Sequence, residues 1–371
     1  MKISFLCLAV SVMALTSCSG SDSTKNPDVD LTAVEARQAF KGAEELMGQD
    51  YGSFTMPAAF DIPQLSEVYE ISYNTEFPDY DKQKLSDLFT KFGGELFDKS
   101  QLSEDGTGGY YFGSDKLNCS YLTGMLDMSF VNEQPDPETQ AEQPEMKLLG
   151  HYSVGSQFDE TVTLNGIDTS VGQLAGFLDA ELNQLLVGFT EPYELRAQVI
   201  EAYNTSNVFA NCAYTLEGIP LQNWRSASRR LIEGKGVEYF DCFNVNAELQ
   251  STDKISLVYS WGGPPNILEK KKLESIIPLK RAVGILQSTL DPADLYNFKD
   301  VQLMYCGTVV NPRTSDIVND AEVDSQQQAA FRAETKTLRP MWCFFVDFDS
   351  DNYNEQVIRV NAVTGEVILD L

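Results

Sequence analysis

The chain of 371 residues contains one histidine, His151, and this scarcity excludes several kinds of chemistry. A zinc hydrolase of the H-E-x-x-H type and a histidine-rich metal site each require more histidines than this. A Ser-His-Asp triad would need His151, yet the sequence has no G-x-S-x-G motif, and "LLGHYSVG" is typical of a strand. C-x-x-C pairs and glycine-rich phosphate loops are missing as well. We therefore predict no metal centre, no cofactor and no histidine-based catalysis.

Basic residues are also few, with 27 Lys and Arg against 55 Asp and Glu and a net charge of -28 at pH 7. Such a charge repels phosphate backbones, so nucleic acid is not an expected partner. Two explanations of the acidity stay open at this point. It keeps an extracellular protein soluble, or it attracts a cationic partner.

Hydrophobic runs long enough to cross a membrane are absent, and the longest run lies at the amino terminus. Residues 3–15 are largely apolar, but about 13 residues are too few for a membrane-spanning helix and are typical of a signal peptide. The next residues, Leu15-Thr16-Ser17-Cys18, resemble a bacterial lipobox. The resemblance implies that residues 1–17 are removed as a signal peptide and that the Cys18 thiol carries lipid. The alternative is an ordinary secretory signal in which Cys18 is incidental.

Residues 18–30 are polar apart from Val29, and we expect them to be a flexible tether between the lipid and the folded part. The remaining chain, about 340 residues, exceeds what one hydrophobic core usually supports. We therefore predict two domains, residues 31–250 and 251–371, in an extracytoplasmic protein that its lipid holds at the cell membrane.

Three segments carry apolar residues at helical spacing. They are residues 85–96, residues 170–187 with a capping box of Ser170 and Gln173, and residues 278–290 with a proline at the start. Stretches rich in Val, Ile, Tyr and Phe, such as "VYEISYN" and "ISLVYSW", predict strands that follow one another without βαβ alternation. Together these patterns predict an α+β fold of antiparallel sheets, each covered by amphipathic helices.

Five cysteines follow Cys18 in the sequence, at positions 119, 212, 242, 306 and 343, and their number does not define the disulfide connectivity. Cys306 in "VQLMYCGTVV" and Cys343 in "PMWCFFVDF" lie in consecutive predicted strands, where a cross-strand contact would allow a disulfide. The alternative is that the cysteines are free and act as small buried apolar residues.

An acidic cluster in "VDFDSDNYNE" begins like a calcium loop, since Asp347, Asp349 and Asp351 place carboxylates at alternate positions. The match then fails, because Asn352 stands where the loop needs glycine and Ile358 stands where it needs a bidentate glutamate. The three aspartates are therefore a weak calcium candidate, and the pattern favours solvated acids of a hairpin loop.

The segment 251–371 combines strands, one helix and a closing hairpin. Its residues 360–367, "VNAVTGEV", resemble the "V-D-A-x-T-G-x-V" close of PepSY-like domains, with Asn361 where the family usually has Asp. Together with the lipobox, the chain resembles uncharacterised surface lipoproteins of gut Gram-positive bacteria. PepSY-like domains are small α+β modules that inhibit peptidases or regulate sensor kinases, so the resemblance implies a protein partner. An unrelated sheet that ends in a hairpin would share much of this pattern.

These observations predict a lipid-anchored, non-catalytic binding or regulatory module that acts on another envelope or secreted protein. The alternative is a surface glycan-binding protein or a carboxylate-dependent hydrolase, because glycoside hydrolysis needs only two carboxylates. In that case Trp224, Trp261 and Trp342 would be candidates for stacking against sugar rings.

Overall fold

The fold is mostly β, with 48% of the chain in strands and a half-barrel among its sheets. A computed structural model describes residues 32–76, 103–104, 110–113, 117–122, 125–130, 147–187, 190–204, 207–223, 230–232, 236–261, 263–293, 295–311, 330, 332–346 and 356–370. This part of the chain contains two α-helices, Val171–Leu185 (α1) and Leu279–Thr289 (α2). The predicted α+β class, with helices covering each sheet, is therefore wrong.

Size explains why the helices cannot cover the sheets. A helix is about 10 Å wide, whereas neighbouring strands lie about 4.8 Å apart, so one helix covers roughly two strands. The strands form sheets of ten, seven, three and two members. Most of the apolar surface of these sheets must therefore be buried against other strands.

The strands in chain order are β1 (Phe54–Thr55), β2 (Tyr69–Asn74), β3 (Ser103–Glu104), β4 (Tyr110–Gly113), β5 (Leu117–Leu122), β6 (Met125–Phe130), β7 (Leu148–Ser153), β8 (Thr161–Leu164), β9 (Ile167–Ser170), β10 (Glu194–Tyr203), β11 (Val208–Leu216), β12 (Ile219–Pro220), β13 (Arg230–Ile232), β14 (Gly236–Phe240), β15 (Asn244–Ser251), β16 (Lys254–Trp261), β17 (Asn266–Lys272), β18 (Tyr296–Cys306), β19 (Thr308–Asn311), β20 (Lys336–Val346), β21 (Val357–Asn361) and β22 (Val367–Asp370). Two short 3-10 helices, Ala36–Gln38 and Ala43–Leu46, precede them.

The ten-stranded sheet has the order β3-β4-β5-β6-β16-β15-β11-β10-β7, with β12 beside β11. Helix α1 packs against β10 through two polar anchors. The Asn183 side chain donates to the carbonyl of Leu195 at 2.8 Å and accepts from its N–H at 2.7 Å, and Asp179 accepts from the N–H of Ala197 at 2.7 Å. These bonds satisfy backbone groups where β10 has a bulge after Ala197.

The amino terminus of α1 confirms the predicted capping box. The Ser170 hydroxyl accepts from the N–H of Gln173 at 3.1 Å, and the Gln173 side chain accepts from the N–H of Ser170 at 3.0 Å. The predicted helix at 278–290 is present as α2, which begins at Leu279 with Pro278 as its N-cap. The predicted helix at 85–96 lies outside the described residues.

The seven-stranded sheet has the order β1-β18-β20-β2-β17, and the hairpin β21–β22 pairs with the remaining part of β20. Helix α2 packs near this sheet, and the chain just before it is fixed by Trp342 on β20. The indole N–H of Trp342 donates to the carbonyl of Ile277 at 2.8 Å, and its ring meets Phe40 edge-on with centroids 5.0 Å apart. Trp342 is fully buried. It is therefore not available for stacking against a sugar.

Three strands, β13, β14 and β19, form a small sheet, and β8 pairs with β9. The two large sheets touch where the Ser153 hydroxyl of β7 donates to the Asp300 carboxylate of β18, which also accepts from Gln302 at 2.8 Å. Both large sheets use strands from either side of residue 250, and the division into domains 31–250 and 251–371 stays a prediction. Among the described residues, no helix is long and apolar enough to cross a membrane.

Candidate functional site

Two of the predicted site residues, Cys306 and Cys343, meet in the core of the seven-stranded sheet. Their Sγ atoms lie 3.7 Å apart, and both side chains are fully buried as thiols. The strand register pairs Cys343 with Gln302 and Cys306 with Arg339, so the cysteines are offset along the ladder rather than directly opposed. The structure thus brings together the pair that the sequence singled out, and a disulfide between them stays a prediction.

A buried arginine completes this cluster, which we call the sulfur cluster (Cys306, Cys343 and Arg359). Arg359 lies on β21 directly opposite Cys343, and its guanidinium acts on both sulfurs to lower the pKa of each thiol. Its guanidinium lies 3.9 Å from the centroid of the Phe240 ring, a cation–π contact. The arginine is 0% exposed, so its charge acts on its neighbours with little screening by water.

The remaining wall of the sulfur cluster is apolar. Four residues besides Phe240 pack there: Met304, Met341, Phe345 and Val357. Burying a charged group among such side chains is costly unless other groups bond to it or oppose its charge. Thiols can do both, because a thiol accepts weak hydrogen bonds and becomes an anion when it loses its proton.

The pKa values of the two thiols differ from the ordinary value in opposite directions. Burial alone would raise the pKa of Cys306, but the hydrogen bond with Cys343 and the charge of Arg359 outweigh it and hold the pKa of Cys306 below its ordinary value. Burial and the hydrogen bond to Cys306 raise the pKa of Cys343 well above its ordinary value. The favoured ionised state of the cluster therefore has a thiolate at Cys306 and a proton on Cys343.

A depression of about 320 Å³ lies next to the sulfur cluster, and Cys306 forms part of its wall. Gly307 lies at the base of the wall, where a Cβ atom would approach the carbonyl oxygen of Thr337 to 2.6 Å. Only glycine fits this position without a shift of the backbone. Two segments of the chain, at Gly307 and Thr337, therefore approach each other closely at the depression.

A second cluster, which we call the oxygen cluster (Tyr73, Asp241 and Lys336), lies next to Gly307. The Tyr73 hydroxyl donates to the Asp241 carboxylate at 2.9 Å, and the N–H of Asp241 donates to the carbonyl of Gly307 at 2.9 Å. Lys336 lines the depression and donates to the Thr75 hydroxyl at 2.9 Å.

Burial dominates the ionisation of the oxygen cluster. It raises the pKa of the Asp241 carboxyl, against the opposing effects of the Lys336 charge and the Tyr73 hydrogen bond. It also lowers the pKa of the Lys336 amine, against the attraction of Asp241. The two groups therefore stabilise each other in a place where neither charge is well solvated.

His151 does not join these clusters. His151 on β7 is half-buried, with Nδ1 3.2 Å from the Glu201 carboxylate and Nε2 3.3 Å from the Lys299 amine. This places it in a polar contact between the two large sheets. The lipidation residue Cys18, the weak calcium candidates Asp347, Asp349 and Asp351, and Trp224 lie outside the described residues. Across the described ranges, no group of three His, Cys, Asp or Glu side chains is placed to hold a metal ion.

Sequence reasoning missed Arg359, although a signal was present. Its strand reads Val-Ile-Arg-Val, and a charged residue inside an apolar run is unusual in a strand with both faces covered. All five residues of β21 are buried in the structure. A strand of this kind requires a partner for its arginine, and that requirement could have pointed to the nearby cysteines.

The comparisons with known proteins add little. No family model matches the chain, and no curated protein matches it. Among solved structures, the chain is similar to an uncharacterized protein from Eubacterium rectale ATCC 33656, with 14% sequence identity and a TM-score of 0.43. The match covers 83% of this chain and 88% of that chain. A similarity at this level carries no argument about function.

Proposed function

We propose that this protein is a lipid-anchored extracytoplasmic binding module that engages another envelope or secreted protein through the edge of its ten-stranded sheet. The observation that carries the proposal is the position of strand β7. It is the terminal strand of that sheet, and among the described strands it pairs with β10 alone. An extended segment of a partner can add to such an edge by backbone hydrogen bonds.

The composition of β7 supports this use. Its sequence, Leu-Leu-Gly-His-Tyr-Ser, contains no Lys, Asp, Glu or Pro, which are the residues that usually prevent edge-to-edge pairing. Leu149 in this strand is 66% exposed. An exposed apolar side chain on an unprotected edge is suited to a partner's alternating side chains.

Strand β17, at the end of the seven-stranded sheet, differs from β7 because it carries several charged residues. It carries Glu269 and three consecutive lysines, Lys270 to Lys272. Lys270 and Lys272 form ion pairs with Glu217 and Glu67. Charges of this kind oppose the addition of another strand, so β17 is the protected edge and β7 the receptive one.

The amino-terminal pattern and the resemblance at the carboxyl end supply the setting of the proposal. A lipid on Cys18 and a tether of residues 18–30 would hold the sheet near the outer face of the membrane. The PepSY-like closing residues suggest a peptidase or a sensor kinase as the partner class.

Site-specific photo-crosslinking in intact cells tests the proposal. A photoreactive residue replaces Leu149 in one variant and Leu268, which is 52% exposed on β17, in the matched control. We expect a discrete adduct with one envelope protein from position 149 and none from position 268. The Cys18→Ala variant should lose the adduct, since it removes the anchor.

Equal adducts from positions 149 and 268, or none from position 149, would contradict the role of β7. Enrichment of wall polysaccharide in place of a protein would favour the glycan-binding alternative.

A further inference from the structure

The sulfur cluster has features that a structural disulfide does not need. A structural disulfide is stabilised by its covalent link, and a buried cation beside it gains nothing from two neutral sulfurs. In the reduced protein the same cation faces a thiolate and becomes part of a buried ion pair. The position of Arg359, fully buried and directly opposite Cys343 in a pair whose Sγ atoms lie 3.7 Å apart, therefore favours the reduced form over the oxidised form.

We propose that Cys306 and Cys343 form a reversible redox-active pair that exchanges with small thiols and disulfides, and that Arg359 stabilises its reduced state as a Cys306 thiolate. The proposal is independent of the binding role of β7, because the two sites use different strands. It assigns a function to Arg359, whose contact with the Phe240 ring is kept away from solvent.

The exchange takes place in two balanced steps. The Cys306 thiolate attacks one sulfur of an external disulfide R–S–S–R, so that its S–S bond breaks, a mixed disulfide forms at Cys306 and one R–S⁻ leaves. Cys343 then passes its proton to a departing thiolate and attacks the Cys306 sulfur, which releases the second R–S⁻. Two protein thiols lose two electrons in total, and the external disulfide gains them to give two small thiols.

The closing hairpin controls access to this pair. Both sulfurs are fully buried, so an external disulfide reaches them only when the surrounding strands open. Strand β21 carries Arg359 and is held, among the described strands, by β20 on one side and β22 on the other. Separation of β21 from β20 uncovers Cys343, which Arg359 directly opposes, together with the Cys306 sulfur 3.7 Å from it.

This geometry links the redox state to the attachment of the hairpin. In the reduced state, the attraction between Arg359 and the thiolate holds β21 against β20. Oxidation removes the negative charge and leaves the arginine beside neutral sulfurs. We expect the β21–β22 hairpin to open more readily in the oxidised protein.

The first test is a redox titration of the full mature protein in mixtures of reduced and oxidised glutathione. Differential alkylation followed by peptide mass spectrometry reports Cys306 and Cys343 separately from the other cysteines. We expect the wild-type disulfide to be reduced by excess glutathione, whereas structural disulfides resist it. A pair that stays oxidised under these conditions would overturn the proposal.

The matched variants are Arg359→Met and Arg339→Met. Arg339 lies opposite Cys306 in the ladder but is exposed and paired with Glu70 at 2.9 Å, so solvent screens its charge. We expect Arg359→Met to raise the equilibrium constant for disulfide formation by about tenfold, and Arg339→Met to leave it nearly unchanged. Equal constants for wild type and a folded Arg359→Met would also overturn the proposal.

A third readout needs no change at Arg359, so it holds even if that variant does not fold. The far-ultraviolet absorbance of the thiolate is measured against pH in reduced wild type and in Cys306→Ser. We expect the difference between the two to show a thiolate that forms below the ordinary thiol pKa of about 8.5. A difference that appears only above this pH contradicts the thiolate at Cys306.

Discussion

The sulfur cluster and the oxygen cluster each bury a cation in the core of the same sheet, but the groups that oppose the two cations differ. Arg359 faces two thiols, whereas Lys336 is attracted by the Asp241 carboxylate. Both clusters adjoin Gly307, since Cys306 precedes it and the backbone N–H of Asp241 donates to its carbonyl. They therefore share a similar environment, and the difference between them lies in the chemistry of the anion.

That difference decides what happens when one partner is lost. A carboxylate stays ionised over most of the pH range, so its cation depends on it. A thiol is mostly neutral near neutral pH unless a cation stabilises its anion, so it accepts a proton when the cation is removed. Loss of Asp241 therefore leaves the Lys336 charge without the carboxylate that attracts it, whereas the thiols of the sulfur cluster can become neutral when Arg359 is lost.

The largest expected effect comes from breaking the oxygen cluster. Asp241→Ala leaves Lys336 buried without its carboxylate and removes the acceptor for Tyr73, and we expect the free energy of unfolding to fall by about 3 kcal/mol. Urea unfolding followed by circular dichroism measures the change. The control is Asp253→Ala in the exposed turn between β15 and β16, which should change stability by less than about 0.5 kcal/mol. Similar losses for both variants would show that Asp241 has no special role.

A smaller effect is expected from breaking the sulfur cluster under reducing conditions. Arg359→Met keeps an unbranched side chain but removes its charge, and the thiols can then become neutral. We therefore expect the free energy of unfolding to change by no more than about 1 kcal/mol. The same urea experiment in the presence of a thiol reductant measures it. A loss as large as that of Asp241→Ala would mean that the two clusters do not differ as proposed.

The smallest expected effect is on pH dependence, where the two clusters should have slopes of opposite sign. The folded pKa of Cys306 is lowered, so its contribution to stability is present above the unfolded pKa of about 8.5 and is lost as the pH falls through the folded value. The folded pKa of Asp241 is raised, so its contribution is present below about 3.9 and is lost as the pH rises through the folded value.

The measurement is urea unfolding of the reduced protein across a pH series. The stability of wild type relative to Cys306→Ser should rise with pH towards the ordinary thiol pKa. The stability of wild type relative to Asp241→Asn should fall as the pH rises above the ordinary carboxyl pKa. Slopes of the same sign would contradict the assignment of opposite shifts.

Local features were the most predictable part of this protein. The capping box at Ser170 and Gln173 and the two described helices follow from short-range patterns, because capping and amphipathicity depend on residues a few positions apart. The fold class was wrong for a related reason. Amphipathic helices indicate that something lies beneath them, but their pattern does not show how many strands remain to be covered by other strands.

The candidate site was only partly predictable. Consecutive strands suggested contact between Cys306 and Cys343, and the thiols do meet. The register that offsets the two cysteines depends on long-range pairing that no local pattern encodes. Arg359 was missed because its importance depends on burial on both faces of β21, which only the neighbouring elements reveal.

The sequence by itself determined the apolar run at the amino terminus, the polar segment after it, the acidity of the chain and the short-range signals for strands, turns and helices. These are properties of neighbouring residues or of composition. The tertiary structure alone decided that strands cover strands, that β7 and β17 end the two large sheets in the strand order of the described residues, and that one arginine lies against two thiols. Each of these depends on which distant segments pair, and that choice is made by the burial of apolar surface over the whole molecule.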